Sequence, residues 1–322
     1  MIAEATIARG MVAYGSTIQA IAYGLVDSCV RVVTGYPGFH AQEIIAAVGG
    51  SVSINERTAY SIAWGAALAG TRSTVVFKNV GLNDAADPFV NSMNLRTSAG
   101  LVVIVLDDVE VEGSQCCLDS RPYFDLAPGL WLEPMSATHA YACARQAALW
   151  SEELQVPVVI RVTNELLRSS GKFLREELVI AVPTFIRNPA GAVSHPTYVK
   201  SQLISNQRRA QKIQRFAELL FKPQPNGNYG SVAIGASGQS GGHVEHHVWT
   251  YPLPVEGLRA ALKHAGQIEV SEHGSTFASE KNSSDALRKD SQDFRSIKEL
   301  GSFRRAPHCN RIRSALGRGE DV

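Results

Sequence analysis

Three short segments of the sequence combine reactive side chains with the turn residues that would position them. The first is 34–40, Thr-Gly-Tyr-Pro-Gly-Phe-His, in which two glycines and a proline follow an apolar run. Glycine has no side chain, so the backbone of this segment can approach a ligand closely. An ordinary turn between a strand and a helix has the same composition, and both interpretations stay open for this segment alone.

The second segment, Ser53-Ile54-Asn55-Glu56, carries a carboxylate at the start of an amphipathic stretch. Glu56 could exchange a proton with a ligand, but it also follows Ser53 by three residues, which is the spacing of a capping box. In that arrangement the Ser53 hydroxyl accepts from the amide of Glu56, and the carboxylate accepts from the amide of Ser53. Spacing alone favours the capping box.

The third segment begins with Asp107-Asp108, at the end of the most apolar run of the chain, and continues through 110–121. Paired acids at this position could hold a metal, act as acid and base, or cap the next element. The sequence alone favours capping.

Other motifs with a known chemistry are absent or weak. The sequence has no GxGxxG after a strand, no GxxxxGK(S/T), no GxSxG, no HExxH and no four-cysteine spacing for zinc or iron–sulfur. His243, His246 and His247 could form a metal site, but three surface histidines are the favoured interpretation. Cys116-Cys117 suits neither a shared metal nor a disulfide. We therefore expect no metal site in this chain.

The elements that must position these segments alternate along the first half of the chain. Short β-branched runs predict strands, with helices between them, at Val30–Val33, Val52–Ile54, Ser73–Phe77, Leu101–Leu106 and Val156–Val162. The runs are apolar throughout, which predicts a mostly parallel, doubly wound α/β sheet covered by helices on both faces. The clearest helix is Ala137–Glu153. Ligands bind at the carboxyl edge of such sheets, and all three segments follow predicted strands.

Composition divides the chain into several parts. We predict a first domain at 12–175, a linker with a helix at 176–228, a small abridged α/β domain at 229–282 and a charged, mobile tail at 283–322. The helix of the linker should span 207–221. The small domain should contain strands at 231–234 and 268–270 and a helix at 254–264.

Bulk composition excludes some classes of function. The chain has 322 residues, 45% of them hydrophobic, and a net charge of +1, which favours neither nucleic acid nor an anionic membrane as a partner. The basic tail gives nucleic-acid binding only weak support, because acids interrupt it. No apolar run approaches the length of about 18 residues that a membrane span needs. Five cysteines without a CxxC pair, behind a start with no signal-peptide pattern, predict a cytoplasmic protein.

Several blocks of sequence together resemble a known family. The blocks are Thr34-Gly35-Tyr36-Pro37-Gly38, Asn55-Glu56, the segment from Lys78 to Pro88, and Asp107-Asp108 through Ser114-Gln115 to Asp119-Ser120-Arg121. Their order and spacing resemble indolepyruvate ferredoxin oxidoreductase alpha subunits, of the wider 2-oxoacid:ferredoxin oxidoreductase family. The resemblance runs from 15 to 171 and resumes at 251–254 and 270–277.

The resemblance implies that the first domain binds the aminopyrimidine ring of thiamine diphosphate. Glu56 matches the carboxylate that shares a proton with ring nitrogen N1′, so the cofactor can attack a 2-oxo acid. Burial beside the ring would raise its pKa. The residues implied to line the cofactor are Tyr36, Pro37, Gly38, Asn79, Gly81 and Asn83, and those implied to face the substrate are Phe39, His40 and Arg121.

The sequence departs from the family pattern in two ways. It has no GDG motif and no cysteine cluster. A partner subunit is therefore expected to hold Mg²⁺ and the diphosphate, and any iron–sulfur cluster and contact with ferredoxin would belong to the partner. Phe39 and His40 stand where relatives usually have threonine and proline, and Glu112, Cys116, Cys117 and Leu118 replace polar residues, so the substrate is expected to differ.

These observations leave two classes of function open. The first is a subunit of a thiamine diphosphate-dependent 2-oxo acid oxidoreductase or decarboxylase, in a hetero-oligomer. The second is a non-catalytic scaffold or regulatory subunit that keeps the fold, motivated by the missing half of the site and the altered pocket.

Overall fold

The structure, a computed structural model, describes residues 8–108, 118–177, 183–220, 231–234, 244–246, 249–257, 268–270 and 304–305. The strands are β1 Val12–Ser16, β2 Val32–Gly35, β3 Ser51–Val52, β4 Ser73–Lys78, β5 Leu101–Asp107, β6 Leu130–Glu133, β7 Val158–Thr163, β8 Ser170–Leu174, β9 Ser231–Ile234, β10 Val244–His246, β11 Trp249–Tyr251, β12 Ile268–Val270 and β13 Arg304–Arg305. The helices are α1 Thr17–Asp27, α2 Ala41–Ala47, α3 Glu56–Leu68, α4 Asn79–Asp84, α5 Ala86–Asn94, α6 Tyr123–Leu126, α7 Ala137–Leu154, α8 Asn164–Arg168, α9 Pro189–Ala192 and α10 Pro196–Leu220.

The main sheet has the strand order β11-β6-β7-β5-β4-β2-β3. Neighbouring strands run parallel throughout, except that β11 lies antiparallel to β6. Every residue of β4, β5 and β7 is buried, because helices such as α3 and α7 pack against the sheet. The α/β class with a mostly parallel sheet is confirmed.

The predicted strands and the long helix are found close to their expected bounds. The strand predicted at 30–33 begins two residues later, and the strand predicted at 101–106 extends by one residue to Asp107. The helix predicted at 137–153 ends one residue later, at Leu154. Ser136 caps its first turn through the amide of His139, and Gln155 ends it in the left-handed conformation with φ 55°.

An antiparallel ribbon of β1 and β8, which the sequence does not predict, closes the first domain. Arg175, directly after β8, forms an ion pair with buried Asp27 at the end of α1, with Nη2 2.9 Å from Oδ1. The hydroxyl of Tyr141 donates to the same carboxylate at 3.0 Å. These contacts hold the ribbon to α1 and α7.

The segment predicted to be a linker contains a long helix that packs against the first domain. α10 places Ile213 in the main hydrophobic core, and its Ala217 is fully buried. Arg209, one turn earlier, donates to the carbonyls of Met93 at 2.6 Å and Gln155 at 2.8 Å, where α5 and α7 end. This part of 176–228 is therefore a docked helix and not a free connection.

The region predicted to be a small second domain divides between two sheets. β9 and β12 have the predicted bounds, and they form a parallel sheet in the order β10-β9-β12-β13. β11, however, pairs with β6 of the main sheet, and Tyr251 stacks on Phe124 with ring centroids 4.6 Å apart. Most of the helix predicted at 254–264 and of the tail at 283–322 lies outside the described residues. Within the described part of the chain, no helix is long and apolar enough to cross a membrane.

Candidate functional site

The carboxyl edge of the main sheet brings the predicted segments together. β2, β3, β4 and β5 are successive members of one parallel sheet, so the segments that follow them leave from the same edge. Gly35, the last residue of β2, lies so close to the Val76 carbonyl of β4 that any side chain there would collide with it. The amide of Tyr36 donates to the same carbonyl at 3.2 Å.

Glu56 is the first residue of α3, and the structure does not support the capping box. Asn55 caps the helix instead, with its side-chain oxygen accepting from the amide of Thr58 at 2.8 Å. The amide of Ser53, directly after β3, donates to the Gly35 carbonyl of β2 at 2.8 Å, so the backbone of Ser53 is held to the sheet and not to α3. The carboxylate of Glu56 is therefore not used to pair with Ser53.

Glu56 lies directly over Gly81 in α4. A Cβ atom at Gly81 would come within 2.5 Å of Glu56 Cγ and 2.6 Å of Oε1, so the seat of this carboxylate exists only because residue 81 is glycine. Partial burial raises the pKa of Glu56, and the nearby charge of Asp84 raises it further, against the opposing effect of its own backbone amide. The carboxyl group therefore keeps its proton to a higher pH than an ordinary glutamate.

The end of α4 surrounds this carboxylate with polar groups. Asp84 accepts from the amide of Arg57 at 3.0 Å, which ties α4 to the first turn of α3. Asn83, at the exposed side of α4, accepts from the hydroxyl of Tyr123 at 2.7 Å. Glu56, Gly81 and Asn83 thus lie in one part of the edge.

Asn79, at the start of α4, links this helix to the segment that contains Leu118. It is buried, its side-chain nitrogen donates to the carbonyl of Leu118, and its oxygen accepts from the amide of Val80 at 2.8 Å. Beside it, Nζ of buried Lys78 lies 3.6 Å from Oδ2 of Asp108. These contacts hold the segments after β4 and β5 together.

The 36–40 segment turns over the same edge. Gly38 faces Lys78, since a Cβ at Gly38 would lie 3.7 Å from Cβ of Lys78, while Pro37 is exposed. Phe39 has φ 52°, an unusual conformation for a large side chain, and its ring meets that of His40 edge-on at 4.5 Å. Nδ1 of His40 lies 2.8 Å from a carboxylate oxygen of Glu43.

Comparison with known proteins places the chain in a family. No model of a protein family matches it. The IorA subunit of indolepyruvate oxidoreductase from Methanothermobacter marburgensis is 30% identical over 235 residues, 68% of this chain and 38% of that protein. The IorA subunits of Archaeoglobus fulgidus and Methanothermobacter thermautotrophicus are 27% and 31% identical over 245 and 181 residues, 68% and 53% of this chain.

A solved 2-oxoglutarate:ferredoxin oxidoreductase from Magnetococcus marinus shares the fold, with a TM-score of 0.68 at 14% identity, over 95% of this chain and 65% of that one. The chain belongs to the 2-oxoacid:ferredoxin oxidoreductase family. It spans 38% of the A. fulgidus subunit and 28% of the M. thermautotrophicus subunit.

In this family member Arg121 lies within a buried cluster of charges. Its side chain is 1% exposed, and its Nε and Nη2 donate to the Asp119 carboxylate at 2.8 and 2.5 Å. Arg161, also buried, lies 2.5 Å from Asp107 and 2.9 Å from Glu133, and 3.6 Å from Asp119. A substrate carboxylate can reach Arg121 only in competition with Asp119.

The cluster holds more carboxyl than guanidinium groups, and this shifts their pKa values. Burial lowers the pKa of Arg161, but Glu133, Asp107 and Asp119 outweigh that effect and raise it. Burial raises the pKa of Asp107 and of Glu133, although the charge of Arg161 opposes it. Proton uptake by a carboxyl group would offset the excess negative charge.

Arg161 and Glu133 belong to the buried charge cluster around Asp107, and neither is a candidate from the sequence alone. A single arginine inside the apolar run of β7 is the signal that could have found Arg161, because a charge buried in a central strand needs partners. Asp107 accepts from the amide and the hydroxyl of Ser120 at 3.0 and 2.9 Å. Asp107 therefore binds the backbone and side chain of Ser120, thirteen residues further along the chain.

No group of three or more His, Cys, Asp or Glu side chains within the described ranges could hold a metal ion. Cys116, Cys117 and Glu112 lie outside the described residues, as do His243 and His247 and the side chain of His246.

Proposed function

We propose that this chain supplies the pyrimidine-binding half of a thiamine diphosphate site, in a subunit of a 2-oxo acid oxidoreductase or decarboxylase. The observation that carries the proposal is the seat of Glu56, a half-buried carboxyl group of raised pKa held over Gly81 at the carboxyl edge of a parallel sheet. An acid in this position suits proton exchange with a ring nitrogen, because its raised pKa lets it hold its proton to a higher pH than an ordinary glutamate does.

Thiamine diphosphate, when bound, supplies a nucleophilic carbon and an electron sink for the decarboxylation of 2-oxo acids. Glu56 holds the proton that N1′ of the pyrimidine shares. Gly81 leaves room for that carboxylate, and partial burial raises its pKa, with a smaller contribution from the charge of Asp84. Helix α3 directs its first turn at the same point, and the Asn55 cap fixes the position of that turn.

The other residues proposed to face the cofactor form the walls around this acid. Tyr36, Pro37 and Gly38 belong to the turn after β2, and Asn79 and Asn83 to the helix after β4. Gly38 is close enough to Lys78 for the two segments to form one wall. Asn83 is oriented by the hydroxyl of Tyr123.

We propose that Phe39, His40 and Arg121 shape the substrate side of the site. Phe39 and His40 pack against each other, which makes a compact aromatic surface where a bulky side chain of a 2-oxo acid can rest. Arg121 presents the planar fork that binds carboxylates best, but Asp119 occupies it. Engagement of the substrate by Arg121 thus requires Asp119 to give up part of that ion pair.

We propose that a partner subunit supplies the rest of the site. The sequence has neither a GDG motif nor a cysteine cluster, so Mg²⁺, the diphosphate, any iron–sulfur cluster and the contact with ferredoxin are assigned to the partner. Apolar side chains are exposed around Glu56, namely Val52, Val80, Leu118 and Ile54, the last 82% exposed. Such a rim suits a covering protein surface. The cytoplasmic location stays a prediction.

The test is to combine the chain with a subunit that carries the diphosphate domain and to follow turnover of 2-oxo acids. Glu56→Gln should reduce kcat by about 100-fold or more while leaving complex assembly intact, because the amide keeps the shape of the side chain but cannot exchange the proton. Equal turnover by the variant and the natural chain would contradict the proposal.

A second function, that of a non-catalytic scaffold, is favoured by one specific observation, the saturation of Arg121 by Asp119. It predicts that the complex assembles normally but shows no heat of thiamine diphosphate binding in calorimetry. Binding of the cofactor together with turnover would exclude it.

A further inference from the structure

A groove lies at the opposite edge of the main sheet from Glu56. It runs between α10 and the C-terminal ends of α5 and α7, and its walls include Arg96 and Gln155. Arg96 precedes β5, which begins at Leu101, and Gln155 precedes β7, which begins at Val158. Both positions are therefore at the amino edge of the sheet, so this groove is separate from the proposed thiamine site.

The groove has a strongly positive lining. Its volume is about 460 Å³, and it is lined by Arg96, Arg208, Arg209 and Lys212, with Glu153 as the single carboxylate among its lining residues. We call it the basic groove. Pockets of a few hundred cubic ångströms match small-molecule ligands in size.

Two of these cations already bind backbone carbonyls at the ends of helices. Arg209 donates to the carbonyls of Met93 and Gln155. Lys212 donates to the carbonyl of Glu153 at 2.6 Å, and its Nζ lies 3.6 Å from the carboxylate of the same residue. Arg208 is exposed and makes no hydrogen bond or ion pair with any described residue. At least this guanidinium is left for a ligand.

The cations are close enough to repel one another. Burial, and to a smaller extent the charge of Arg96, lowers the pKa of Arg209 to about 10. Arg209 is still protonated at neutral pH, so the groove keeps its charge. A bound anion would relieve this repulsion, and arginine forks bind phosphate oxygens in pairs.

A second chamber adjoins the basic groove, and apart from the shared Arg96 its lining residues carry no charge, so we call it the uncharged chamber. It has a volume of about 160 Å³ and shares Arg96, Ser201 and Ser205 with the groove. Its other walls include Asn188, whose side-chain oxygen accepts from the amide of Gly191, and Gln202, whose side-chain nitrogen donates to the carbonyls of Ala190 and Val193. Among the described residues, no aromatic ring lines either chamber. Amides and hydroxyls without an aromatic surface suit a ligand rich in hydroxyl groups, whereas a nucleobase needs a flat surface for stacking.

We propose that the two chambers together bind a small phosphate ester of a hydroxyl-rich compound, with the phosphate in the basic groove and the hydroxyl groups in the uncharged chamber. The phosphate meets Arg96 and Arg208, and Lys212 contributes charge at the rim. Asn188 and Gln202 contact the hydroxyl groups. The site does not depend on the function proposed for Glu56.

The experiment is calorimetric titration of the full chain with glucose 6-phosphate, glucose and inorganic phosphate. Glucose 6-phosphate should bind more tightly than either of the other two. The double variant Arg208→Gln/Lys212→Gln should weaken its binding by about tenfold or more, since two of the cations at the phosphate are lost. The matched control is Lys200→Gln/Arg215→Gln, which removes two exposed charges of the same helix outside the groove and should leave the affinity unchanged.

Three results would overturn the proposal. An equal loss of affinity in both double variants would show attraction by overall charge. Binding of inorganic phosphate as tight as that of glucose 6-phosphate would remove the role of the uncharged chamber. Absence of binding to the natural chain at millimolar glucose 6-phosphate would remove the site.

Discussion

At the scale of single residues, Glu56 and Gly81 form the central pair of the account. They are 25 positions apart, and neither residue alone predicts a site. Glu56 has the spacing of a capping box, and Gly81 is one glycine among 27. Only the fold shows that the carboxylate lies where a side chain at 81 would be. The family blocks of the sequence make Glu56 a candidate site residue. They do not predict that Gly81 leaves the space which the carboxylate fills.

Gly81→Ala tests this seat. Alanine favours helices, so α4 should form as well as before or better, by up to about 1 kcal/mol. The new methyl group must displace the carboxylate, and activity with the partner subunit should fall by about tenfold or more. Circular dichroism checks the fold, and turnover checks the site.

Gly65→Ala is the matched control for that substitution. Gly65 is also in a helix, α3, and a Cβ there meets nothing within 4 Å. It should gain helix stability without loss of turnover. Full activity in Gly81→Ala, or an equal loss in both variants, would disprove the special role of Gly81.

Asp84→Asn tests the electrostatic part of the account. Asparagine can still accept the hydrogen bond from the amide of Arg57, so the local structure should persist. Removal of the negative charge should lower the pKa of Glu56, because that charge raises it in the natural chain. Carbon-13 NMR titration of the Glu56 carboxyl in the isolated chain measures this directly. An unchanged or higher pKa would contradict the arrangement.

At the scale of elements, the local sequence pattern predicts strands that are apolar throughout. It does not predict burial that depends on a partner far away in the sequence. β4, β5 and β7 are continuous apolar runs and are predicted within two residues. β6 is only four residues long and includes Glu133, which is buried because Arg161 of the neighbouring strand pairs with it. That pairing joins residues 28 positions apart, so no local pattern contains it.

α10 shows the same limit on a longer element. Its composition is polar, which favours a linker, because only Arg209, Ile213 and Ala217 are buried. These residues are four apart, so a single narrow stripe docks the helix. The arginine in that stripe binds the carbonyls that end two other helices, a role that depends wholly on the folded arrangement.

Arg209→Met tests the docking of α10. Methionine keeps much of the apolar stem, but the buried carbonyl of Met93 and the partly buried carbonyl of Gln155 lose this donor, which should cost about 2 kcal/mol or more. Urea unfolding measures the free energy of unfolding. Arg215→Met, on the exposed side of the same helix, should change it by about 0.5 kcal/mol or less. Equal stability of the two variants would show that Arg209 does not hold the helix.

At the scale of the whole molecule, the two proposed sites lie at opposite edges of the main sheet. The carboxyl edge presents Glu56 within an exposed apolar rim, and the amino edge presents the basic groove. The family relationship motivates the site proposed at the carboxyl edge. The chain spans less than two fifths of the IorA relatives named above, so the proposed site needs a second surface that the described residues do not provide.

The most direct test of the central claim follows the thiazolium C2 proton of thiamine diphosphate in the complex with the diphosphate-domain subunit. Exchange of this proton with deuterium reports activation of the cofactor separately from substrate binding and later steps. Glu56→Gln should slow the exchange by about 100-fold or more, with cofactor binding retained. Exchange at the same rate in the variant and the natural chain would contradict the account.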